Sequence, residues 1–518
     1  MTDRARTIAG LILLLTAALV LLGAAADPPE ARMGGWHLIG AREATQPGVA
    51  AFRGIPFAHP PLGERRFRAA ELLPAPDAGV FEATRYAPVC PQDEGNVDWY
   101  RDVARGVGAD PAALLALPPV SEDCLHLNLW TPAPGRPAAG LPVFVWIHGG
   151  GNQNGWSYEP NYLGQHLAAE GLVVVSIAYR LGGLGFVAHP LLSAESAQGA
   201  SGHYGMSDIL AALQWIRQHI AAFGGDPDNV TVAGESAGGG NISALLRVRA
   251  ADGLYRRAII QSGALGPEDR QPLDAAQRAG ERLFAALQAR SAEDLRRRPW
   301  QDFIGLDWGA YYPGWVIDGE LLREAAAIRE GVDLLIGSNA QEWLMYMAPD
   351  GDAALQKVLG RYARGREPEA RALLQQLEPD PRRQADRLFS AVEFLCPSTE
   401  LAAEVRAGGG RSFVYHFTRV RPGAARIGAY HGAEIPYVFG TADAWLPGDD
   451  TDAALSRAML RYWAGFARSG RPAAGDLPAW PEYDREARSY LELGDRIAPG
   501  TDLERALCTL ASGQADGR

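Results

Sequence analysis

Ser236 stands at the centre of a GESAG motif, residues 234–238, and offers a nucleophile. The apolar run Val230–Ala233 precedes the motif, and the run Ala237–Leu246 after it is compatible with a helix. A serine at the apex of a strand–turn–helix is a nucleophile elbow, where glycines two residues before and after it let strand and helix approach closely. Glycine supplies 60 of the 518 residues, so this short pattern is weak alone and needs support from its context.

A glycine-rich segment about 85 residues upstream supplies that context. Residues 148–151 read HGGG and follow the apolar run Val143–Ile147. Attack on a carbonyl group places negative charge on its oxygen, and fixed backbone N–H groups without neighbouring side chains stabilise that charge. An HGGG loop ahead of a GxSxG motif, each at the end of a strand, is the arrangement used in esterases and lipases. The pair therefore predicts acyl-transfer chemistry and not two unrelated glycine-rich turns.

Both motifs belong to a series of short apolar runs that alternate with helical ones. The predicted strands are Val143–Ile147, Leu172–Ala178, Val230–Ala233, Ala258–Gln261, Leu334–Gly337, Phe413–Phe417 and Ser489–Leu493. Several are apolar throughout, as strands covered on both faces must be. A helix is predicted over Asp208–Ile220, with Ser207 as its cap. The alternation predicts an α/β fold with a large, mostly parallel sheet and helices on both faces.

Residues 1–26 have the composition of a signal peptide. Two arginines precede the apolar run Ile8–Leu22, and three alanines before Asp27 offer a cleavage site. An uncleaved anchor is the alternative, because a run of 19 uncharged residues almost spans a bilayer. Residues 27–518 contain no repeat, low-complexity block or linker, so we predict one domain with a mainly helical insertion around 345–395. We expect the mature chain to be secreted or periplasmic and not stably inserted in a membrane.

Composition excludes two other classes of protein. The net charge is −12, from 61 acidic and 49 basic residues, and phosphate binding needs a basic face. Nucleic acid is therefore not an expected partner. With 47% apolar residues the chain has enough apolar surface to offset its conformational entropy, which excludes intrinsic disorder.

Four cysteines in an exported chain favour disulfides. They permit three pairings, of which the local one, Cys90–Cys124 with Cys396–Cys508, is the simplest. Metal binding is the alternative, but no CxxC or HxxxH spacing supports it.

Further segments make the chain resemble the type-B carboxylesterases, a family that includes bacterial para-nitrobenzyl esterases, fungal lipases and cholinesterases. The matching segments are FRGIPFA at 52–58, PPLG at 60–63, SEDCL at 121–125, AYRLG at 178–182, FGGDP at 223–227 and RYW at 461–463. The resemblance covers nearly all of the chain after residue 26. It implies an α/β-hydrolase fold with helical insertions over the active site, and hydrolysis of small-molecule carboxylic esters with no metal or organic cofactor. The oligomeric state is left open.

The resemblance also implies the catalytic triad. Its order along the chain is serine, acid and histidine, which assigns Ser236, Glu342 and His431. The family's Asp-Glu-Gly around the acid is Gln-Glu-Trp here, at 341–343, and the glutamate is retained. Without the resemblance, Asp318 would be a serious alternative acid.

Other roles are implied in the same way. The N–H groups of Gly150, Gly151 and Ala237 are expected to bind the oxyanion. We expect the remaining charged or titratable residues near the motifs to be structural; these are His148 holding its loop, His416 within a strand, and the pairs Arg66–Glu122 and Arg180–Asp208. Glu235, next to the nucleophile, is expected to adjust the electric field over the site.

The sequence says less about the substrate. Leu114 replaces the tryptophan with which cholinesterases stack on a quaternary ammonium, so choline esters are not expected. Asn152 and Gln153, after the glycines, favour a polar or bulky substrate. Two alternatives stay open: an amidase or carbamate hydrolase with the same triad, and a non-catalytic binding protein of esterase-like fold. The second typically lacks a triad member, whereas all three are present here.

Overall fold

The structure is a computed structural model that describes residues 27–74, 77–111, 116–266, 269–306, 315–324, 326–442 and 445–512. The strands are β1 (Glu30–Met33), β2 (Trp36–Ile39), β3 (Ala41–Arg42), β4 (Ala50–Pro56), β5 (Gly79–Glu82), β6 (His126–Thr131), β7 (Leu141–Ile147), β8 (Val173–Ile177), β9 (Gly225–Glu235), β10 (Arg257–Gln261), β11 (Arg270–Pro272), β12 (Trp315–Ile317), β13 (Asp333–Asn339), β14 (Ser412–Phe417), β15 (Tyr490–Leu493) and β16 (Ile497–Gly500).

Helices occupy most of the connections between these strands. They are α1 (Gly95–Val107), α2 (Gln165–Ala169), α3 (Gly182–Phe186), α4 (Pro190–Ser193), α5 (Tyr204–His219), α6 (Ala237–Leu245), α7 (Leu273–Phe284), α8 (Ala292–Arg297), α9 (Gln301–Ile304), α10 (Gly351–Tyr362), α11 (Glu367–Leu377), α12 (Pro381–Ser390), α13 (Cys396–Ala407), α14 (Ile435–Phe439), α15 (Asp450–Ser469) and α16 (Arg505–Ser512). A π-helical turn, Ala391–Leu395, joins α12 to α13.

Eleven strands form one sheet in the order β16-β15-β14-β13-β10-β9-β7-β8-β6-β4-β3. The seven strands from β15 to β8 are parallel to their neighbours, whereas β16 at one edge and β6, β4 and β3 at the other are antiparallel. Parallel strands require crossover connections, and helices provide them on both faces. The predicted α/β fold with a large, mostly parallel sheet is confirmed.

The sheet separates two apolar layers, and strand β7 shows how the sequence produces them. Val143, Val145 and Ile147 pack into one layer, while Phe144 and Trp146 pack into the other. Successive side chains of a strand point to opposite faces, so a strand covered by helices on both sides must be apolar at every position. All five of these side chains are buried.

The seven predicted strands each overlap an observed one, and the additional strands are mainly the short ones near the N-terminus. The predicted helix is α5, but it begins at Tyr204, so the prediction that Ser207 caps it is wrong. Ser207 lies in the first turn, where its hydroxyl donates to Tyr204 O at 2.6 Å and accepts from Ala70 N at 3.1 Å. A serine that bonds to the preceding turn can stay inside a helix and does not need to start it.

Between β13 and β14 the chain forms the helices α10, α11 and α12 and the π-helical turn. These helices share a core of their own, which includes Leu355, Leu359, Leu374 and Leu388, and Leu507 of α16 packs against it. The segment therefore lies beside the carboxyl end of β13. That residues 27–518 form a single domain stays a prediction.

Two disulfides join Cys90 to Cys124 and Cys396 to Cys508, with Cα–Cα distances of 5.0 and 5.5 Å. The second attaches the C-terminal helix α16 to the first residue of α13. Disulfides persist in oxidising compartments, so this pair of bonds is typical of an extracellular or periplasmic protein. In the described part of the chain, we find no helix with the length and apolar character needed to cross a membrane.

Two buried ion pairs connect segments that are apart in the chain. Arg66 forms a bidentate pair with Glu122, and its guanidinium also donates to Arg296 O at 2.9 Å. Arg180 binds both carboxylate oxygens of Asp208 in α5, at 2.8 and 2.6 Å. Because a planar guanidinium matches a carboxylate in two parallel hydrogen bonds, each pair fixes the orientation of the two segments that carry it. Neither acid is free to act in catalysis.

The disulfide linking α16 to α13 closes a loop of 112 residues, so its loss should be costly. We expect the paired change Cys396→Ala and Cys508→Ala to lower the free energy of unfolding by up to about 5 kcal/mol, because a long loop gains conformational entropy when the link is removed. Peptide mapping of the unreduced protein should recover both linked pairs. Four free thiols in protein from the exported fraction would contradict the pairing and the compartment.

Candidate active site

Ser236 occupies a sharp turn between β9 and α6, with φ 52° and ψ −125°. Its N–H donates to Gln261 O at 2.9 Å. A Cβ on Gly238 would lie 2.0 Å from Ile147 O, and one on Gly234 would lie 2.7 Å from the same oxygen. Both positions therefore require glycine because strand and helix approach too closely for a side chain. A non-glycine residue at positive φ is strained, and such strain is concentrated at functional sites.

The HGGG loop follows β7 and lies beside this turn. Gly150 has φ 90° and Gly151 has φ 64°. A Cβ on Gly150 would lie 2.1 Å from Asn154 O, whereas one on Gly151 would meet no atom within 4 Å. Gly150, Gly151 and Ala237 line the same cavity as Ser236.

His148 supports the glycine loop from behind. Its ring stacks on Tyr179, with centroids 4.5 Å apart, and the Tyr179 hydroxyl donates to His148 O at 2.8 Å. Burial lowers the pKa of His148 to about 4, so the imidazole is neutral at pH 7. Burial likewise lowers the pKa of His416 in β14 to about 4. A neutral, packed imidazole has a structural role here.

The structure brings His431 and Glu342 together. His431 Nδ1 lies 2.7 Å from Glu342 Oε2, and the glutamate side chain is fully buried. Its other oxygen, Oε1, accepts from Ser262 Oγ and from Asn339 N, both at 2.6 Å. Hydrogen bonds to a carboxylate favour its charged form and fix its orientation. Glu342 is thus held in a single position, facing the imidazole.

Asp318 does not contact His431. Its Oδ1 accepts from the N–H groups of Glu320 and Leu322, at 3.1 and 3.0 Å, and so closes a local turn. Its other oxygen lies 3.9 Å from His203 Nε2. The alternative acid therefore has a role in its own loop.

Glu235 faces the opposite nitrogen of the imidazole, with Oε1 3.3 Å from His431 Nε2. Burial alone would lower the pKa of His431, but the negative charges of Glu235 and Glu342 together raise it above its ordinary value. Burial raises the pKa of Glu235. Glu342 therefore favours the imidazolium form of His431, and Glu235 adds to this effect where its carboxyl is ionised, at pH values above about 8.

A polar network that the sequence analysis did not single out holds the His431 loop. Glu434 is fully buried and accepts from Gln261 Nε2 at 2.9 Å and from Asn339 Nδ2 at 2.6 Å. Trp463 Nε1 donates to Gln261 Oε1 at 3.0 Å. The network joins the ends of β10 and β13 to the segment that carries His431. The only sequence signal was an acid three residues after that histidine, and its partners are remote in the chain.

A second network ties Glu342 to helix α12. Ser390 Oγ accepts from Glu342 N at 3.1 Å, and Asp386 Oδ1 accepts from Trp343 N at 2.8 Å. Ser390 also donates to Asp386 at 3.2 Å. Burial raises the pKa of Asp386 to about 7. Helix α12 thus binds the backbone N–H groups of two consecutive residues, Glu342 and Trp343.

Asn152, the first polar residue after the glycines, is buried and hydrogen-bonded within the protein. Asn152 is 1% exposed, its Oδ1 accepts from Asn241 Nδ2 at 2.9 Å, and its carbonyl accepts from Gly182 N at 2.7 Å. The expectation that Asn152 and Gln153 favour a polar or bulky substrate is therefore wrong for Asn152, which is part of the scaffold. Leu114 lies outside the described residues.

Ser236 and His431 open onto one cavity of about 1010 Å³. Its wall combines the glycine loop with aromatic and aliphatic side chains; these include Trp99, Trp146, Tyr162, Leu265, Trp315, Trp343, Tyr346, Phe389, Phe394 and Ile435. Charged side chains line the cavity as well, among them Asp98, Asp102, Asp269, Arg361 and Glu393. A cavity that combines apolar surface with convergent polar groups is typical of a small-molecule site. Its volume is at the upper end for such sites.

The sheet topology, the strained serine at the end of β9 and the adjoining glycine loop define a serine hydrolase of the α/β-hydrolase fold. Residues 37–509 match the Carboxylesterase family, and the chain belongs to that family. It is a carboxylic ester hydrolase. The predicted fold, family and class of reaction are confirmed.

Individual relatives and solved structures support the assignment to the carboxylesterases. Fumonisin B1 esterase of Sphingopyxis macrogoltabida is 34% identical, with 93% of this chain and 91% of the relative covered. Para-nitrobenzyl esterase of Bacillus subtilis is also 34% identical, covering 89% and 94%. Among solved structures, a PNB esterase superposes with a TM-score of 0.75 at 29% identity, over 94% of this chain and all of that one. A thermophilic PNB esterase gives a TM-score of 0.77 at 30% identity, with 94% and 100% covered.

The carboxylates around His431 predict a distinctive pH dependence. If His431 is the general base that the sequence predicts, it must be neutral to accept a proton, and activity should then rise with pH through the pKa of His431. Glu235→Gln removes one negative charge beside the imidazole and should move this rise in kcat/KM to lower pH, by about one pH unit. The measurement is kcat/KM for one ester from pH 5 to 10.

Glu400→Gln is the matched control, because Glu400 is a solvent-exposed acid paired with Arg485 at 2.8 Å. This variant should leave the pH profile in place. If Glu235→Gln also leaves the profile in place, the raised pKa of His431 does not depend on Glu235.

Proposed function

We propose that Ser236, His431 and Glu342 form a catalytic triad that hydrolyses small-molecule carboxylic esters through an acyl-enzyme. The observation that carries the proposal is the buried contact of 2.7 Å between Glu342 and His431, whose imidazole shares a cavity with Ser236. Ser236 directly follows β9 and Glu342 lies three residues after β13, while His431 lies on the longer connection between β14 and α14. Three parallel strands therefore lead to the three groups.

In the first half-reaction, His431 Nε2 accepts the hydroxyl proton of Ser236 while Oγ attacks the ester carbonyl carbon. A tetrahedral intermediate forms, with the negative charge on the former carbonyl oxygen. As this intermediate collapses, the bond from carbon to the alcohol oxygen breaks and the imidazolium gives its proton to that oxygen. The alcohol leaves, and the acyl group stays on Ser236.

In the second half-reaction, water takes the place of the alcohol. His431 accepts a proton from the water as its oxygen attacks the acyl carbon. The second tetrahedral intermediate collapses by breaking the bond to Ser236 Oγ, which takes the proton back from the imidazolium. The carboxylic acid is released and the enzyme returns to its starting state, with one water consumed per ester.

Glu342 orients the base. If Nδ1–H of His431 donates to Glu342, the lone pair on Nε2 is the one directed to the cavity, which is the tautomer that proton abstraction needs. The carboxylate also stabilises the imidazolium formed during each half-reaction. Its two further hydrogen bonds, from Ser262 and Asn339, hold it in place during the reaction.

The N–H groups of Gly150, Gly151 and Ala237 are assigned to the oxyanion hole. The two glycines carry no side chain that would block a ligand, and all three residues line the cavity beside Ser236. Ala237 is the first residue of α6, where helix N–H groups lack an intrahelical partner and the helix dipole favours negative charge. Each such donor is typically worth about 3 kcal/mol in the transition state.

The export of the chain through a cleaved signal peptide is also a proposal. Residues 1–26 act as a signal peptide that is removed on export, so the mature chain starts at or close to Asp27. The two disulfides support export, because they need an oxidising compartment to form. N-terminal sequencing of protein from the culture medium or periplasm tests this directly, and a retained N-terminus would favour the anchor instead.

Ser236→Ala should abolish ester hydrolysis and keep the fold, because alanine fits the elbow as well as serine does. Turnover should fall by more than a thousandfold, as the loss of an attacking group typically costs far more. The assay uses para-nitrophenyl esters and matching anilides, with circular dichroism to check folding. Residual turnover above a thousandth of the parent rate would place the nucleophile elsewhere, and faster cleavage of anilides than of esters would favour an amidase.

The acid is tested by a pair of isosteric changes. Glu342→Gln should keep the fold but stabilise the wrong imidazole tautomer, which lowers kcat by up to about 10⁴-fold. Asp318→Asn is the control, because its carboxylate closes a local turn, and it should change kcat little. Turnover and melting temperature are measured for both. If Glu342→Gln keeps its activity while Asp318→Asn is inactive but stably folded, Asp318 is the catalytic acid and Glu342 is not.

A further inference from the structure

His431 lies on the connection between β14 and α14, so its position depends on the contacts of a loop and not on a strand. Two residues of the segment that carries the acid supply three of these contacts. Gln341 N donates to Ala429 O at 3.2 Å, and Gln341 Oε1 accepts from Ala429 N at 2.8 Å. Asn339 Nδ2 donates to Tyr430 O at 2.8 Å. The two residues before the imidazole are thus attached to the acid segment.

Gln341 binds both the N–H and the carbonyl group of one residue, Ala429, and so fixes its position and its orientation. A backbone N–H only donates, so the amide of Gln341 must turn its oxygen towards Ala429. Ala429 is fully buried, and a buried backbone N–H without a partner is costly. The loop therefore cannot give up this contact without moving.

The side chain of Gln341 also packs closely against the loop backbone. Gly428 has φ 70°, and a Cβ at this position would lie 2.7 Å from Gln341 Oε1 and 2.8 Å from Gln341 Cβ. A side chain at 428 would thus displace the amide from Ala429. The glycine lets the loop come near enough for the hydrogen bond to form.

The acid on the other side of the contact is fixed independently of this loop. Glu342 Oε1 accepts from Ser262 Oγ and from Asn339 N, both at 2.6 Å, and Ser390 Oγ accepts from Glu342 N at 3.1 Å. Strand ends and helix α12 therefore hold the carboxylate. The separation of 2.7 Å between carboxylate and imidazole is then decided by where the loop places His431.

Helix α12 adds a second link between the acid segment and the loop. The Arg382 guanidinium donates to Leu344 O in the acid segment, and the neighbouring Arg383 donates to Ala425 O in the loop at 2.8 Å. These bonds hold the start of the loop, whereas Gln341 holds the residues next to the imidazole. Gln341 therefore has the more direct effect on where the base lies.

Gln341 lines a separate cavity of about 200 Å³, together with Asp386, Ser390 and His416. Ser236 and the imidazole open onto the larger cavity described above. Because Gln341 faces the smaller cavity, its effect on catalysis must act through the position of the base and not through contact with an ester.

We infer that Gln341 is a positioning residue that sets the separation of Glu342 and His431 through the backbone of Ala429. Gln341 opens the Gln-Glu-Trp segment, where the chain departs from the Asp-Glu-Gly pattern of its family. The inference deepens the proposed function and rests on it, because the separation matters for turnover only where His431 is the base and Glu342 its partner. Misplacement of a reacting group by about 1 Å lowers turnover by about a hundredfold.

Three substitutions separate the hydrogen bond from the bulk of the side chain. Gln341→Met keeps the length but removes the acceptor, and Gln341→Asn keeps the amide but withdraws it by one carbon. Both should lower kcat by about ten- to a hundredfold and change KM by less than about threefold, because His431 acts in both half-reactions and the ester is not contacted. Gln341→Glu keeps an acceptor at the same reach and should retain most of the parent kcat.

A second readout observes the contact itself and needs no turnover. A proton held in a short hydrogen bond between an imidazole and a carboxylate resonates far downfield in the proton NMR spectrum. Nδ1 of His431 lies 2.7 Å from Glu342 Oε2, so the parent should show this resonance at acidic pH, where the imidazolium predominates. Gln341→Met should weaken the resonance or move it upfield, and Gln341→Glu should keep it.

Gln277→Met is the matched control. Gln277, in α7, donates to Ser193 Oγ at 2.8 Å, so the change removes one hydrogen bond of a glutamine side chain elsewhere. It should leave kcat, KM and the downfield resonance unchanged. Melting temperatures are measured for every variant, and Gln341→Asn supplies the test should Gln341→Met fold poorly.

Three results would overturn the inference. The first is a kcat like that of the parent in both Gln341→Met and Gln341→Asn. The second is an equal loss in Gln341→Glu, since the acceptor would then not be what matters. The third is a loss of kcat with the downfield resonance unchanged. Failure of the proposed function has a different signature: an active Ser236→Ala would remove the triad, while the dependence of the resonance on residue 341 would still report the contact between Glu342 and His431.

Discussion

The contact between Glu342 and His431 sets the requirements that the surrounding structure must meet. A buried carboxylate is stable only when its charge is compensated, and here the donors are Ser262, Asn339 and the imidazole. These donors follow or end β10, β13 and β14, three neighbouring strands of the sheet. Parallel strands end at the same edge, so the ends of β10 and β13 bring Ser262 and Asn339 to one point, and the connection that follows β14 brings His431 there. The site therefore depends on the sheet register, and a slip of one residue would turn Asn339 away.

The second constraint is the close approach of the strand and helix backbones around Ser236. Ser236 reaches the cavity because β9, β7 and α6 come within contact distance, which leaves no space for a Cβ at 234 or 238. The helix that starts after Ser236 then offers its N-terminal N–H groups to the same cavity. The backbone strain at the serine is offset by packing, since residues 142–147 of β7 and 230–235 of β9 are buried at the centre of the sheet. The packing at the centre of the sheet thus offsets both the backbone strain at Ser236 and the cost of burying the Glu342 side chain.

Much of the fold and of the site motifs could be predicted from the sequence. The residues that could not be predicted were missed for one common physical reason. Short apolar runs between turn residues predict buried strands, and glycines at fixed spacing around a serine predict the elbow. Glu434 and Asp386 were missed, because a buried acid and its remote partners leave no local pattern in a sequence. Asn152 was misread for the same reason, as its burial is set by Asn241, far along the chain. The strands before residue 132 went unpredicted because polar residues interrupt their apolar positions, as Arg53 does in β4 and Asn128 in β6.

The helical segment after β13 helps to position Glu342. Asp386 and Ser390 are one turn apart on α12 and bind the N–H groups of two consecutive residues, Glu342 and Trp343. Trp343 also contacts His431, with ring centroids 5.9 Å apart. A shift of this helix would therefore move Glu342 and change the packing against the imidazole at the same time. Because both hydrogen bonds end on backbone N–H groups, they do not depend on which side chain residue 343 carries. The position of Glu342 can thus be kept while the side chain at 343 varies.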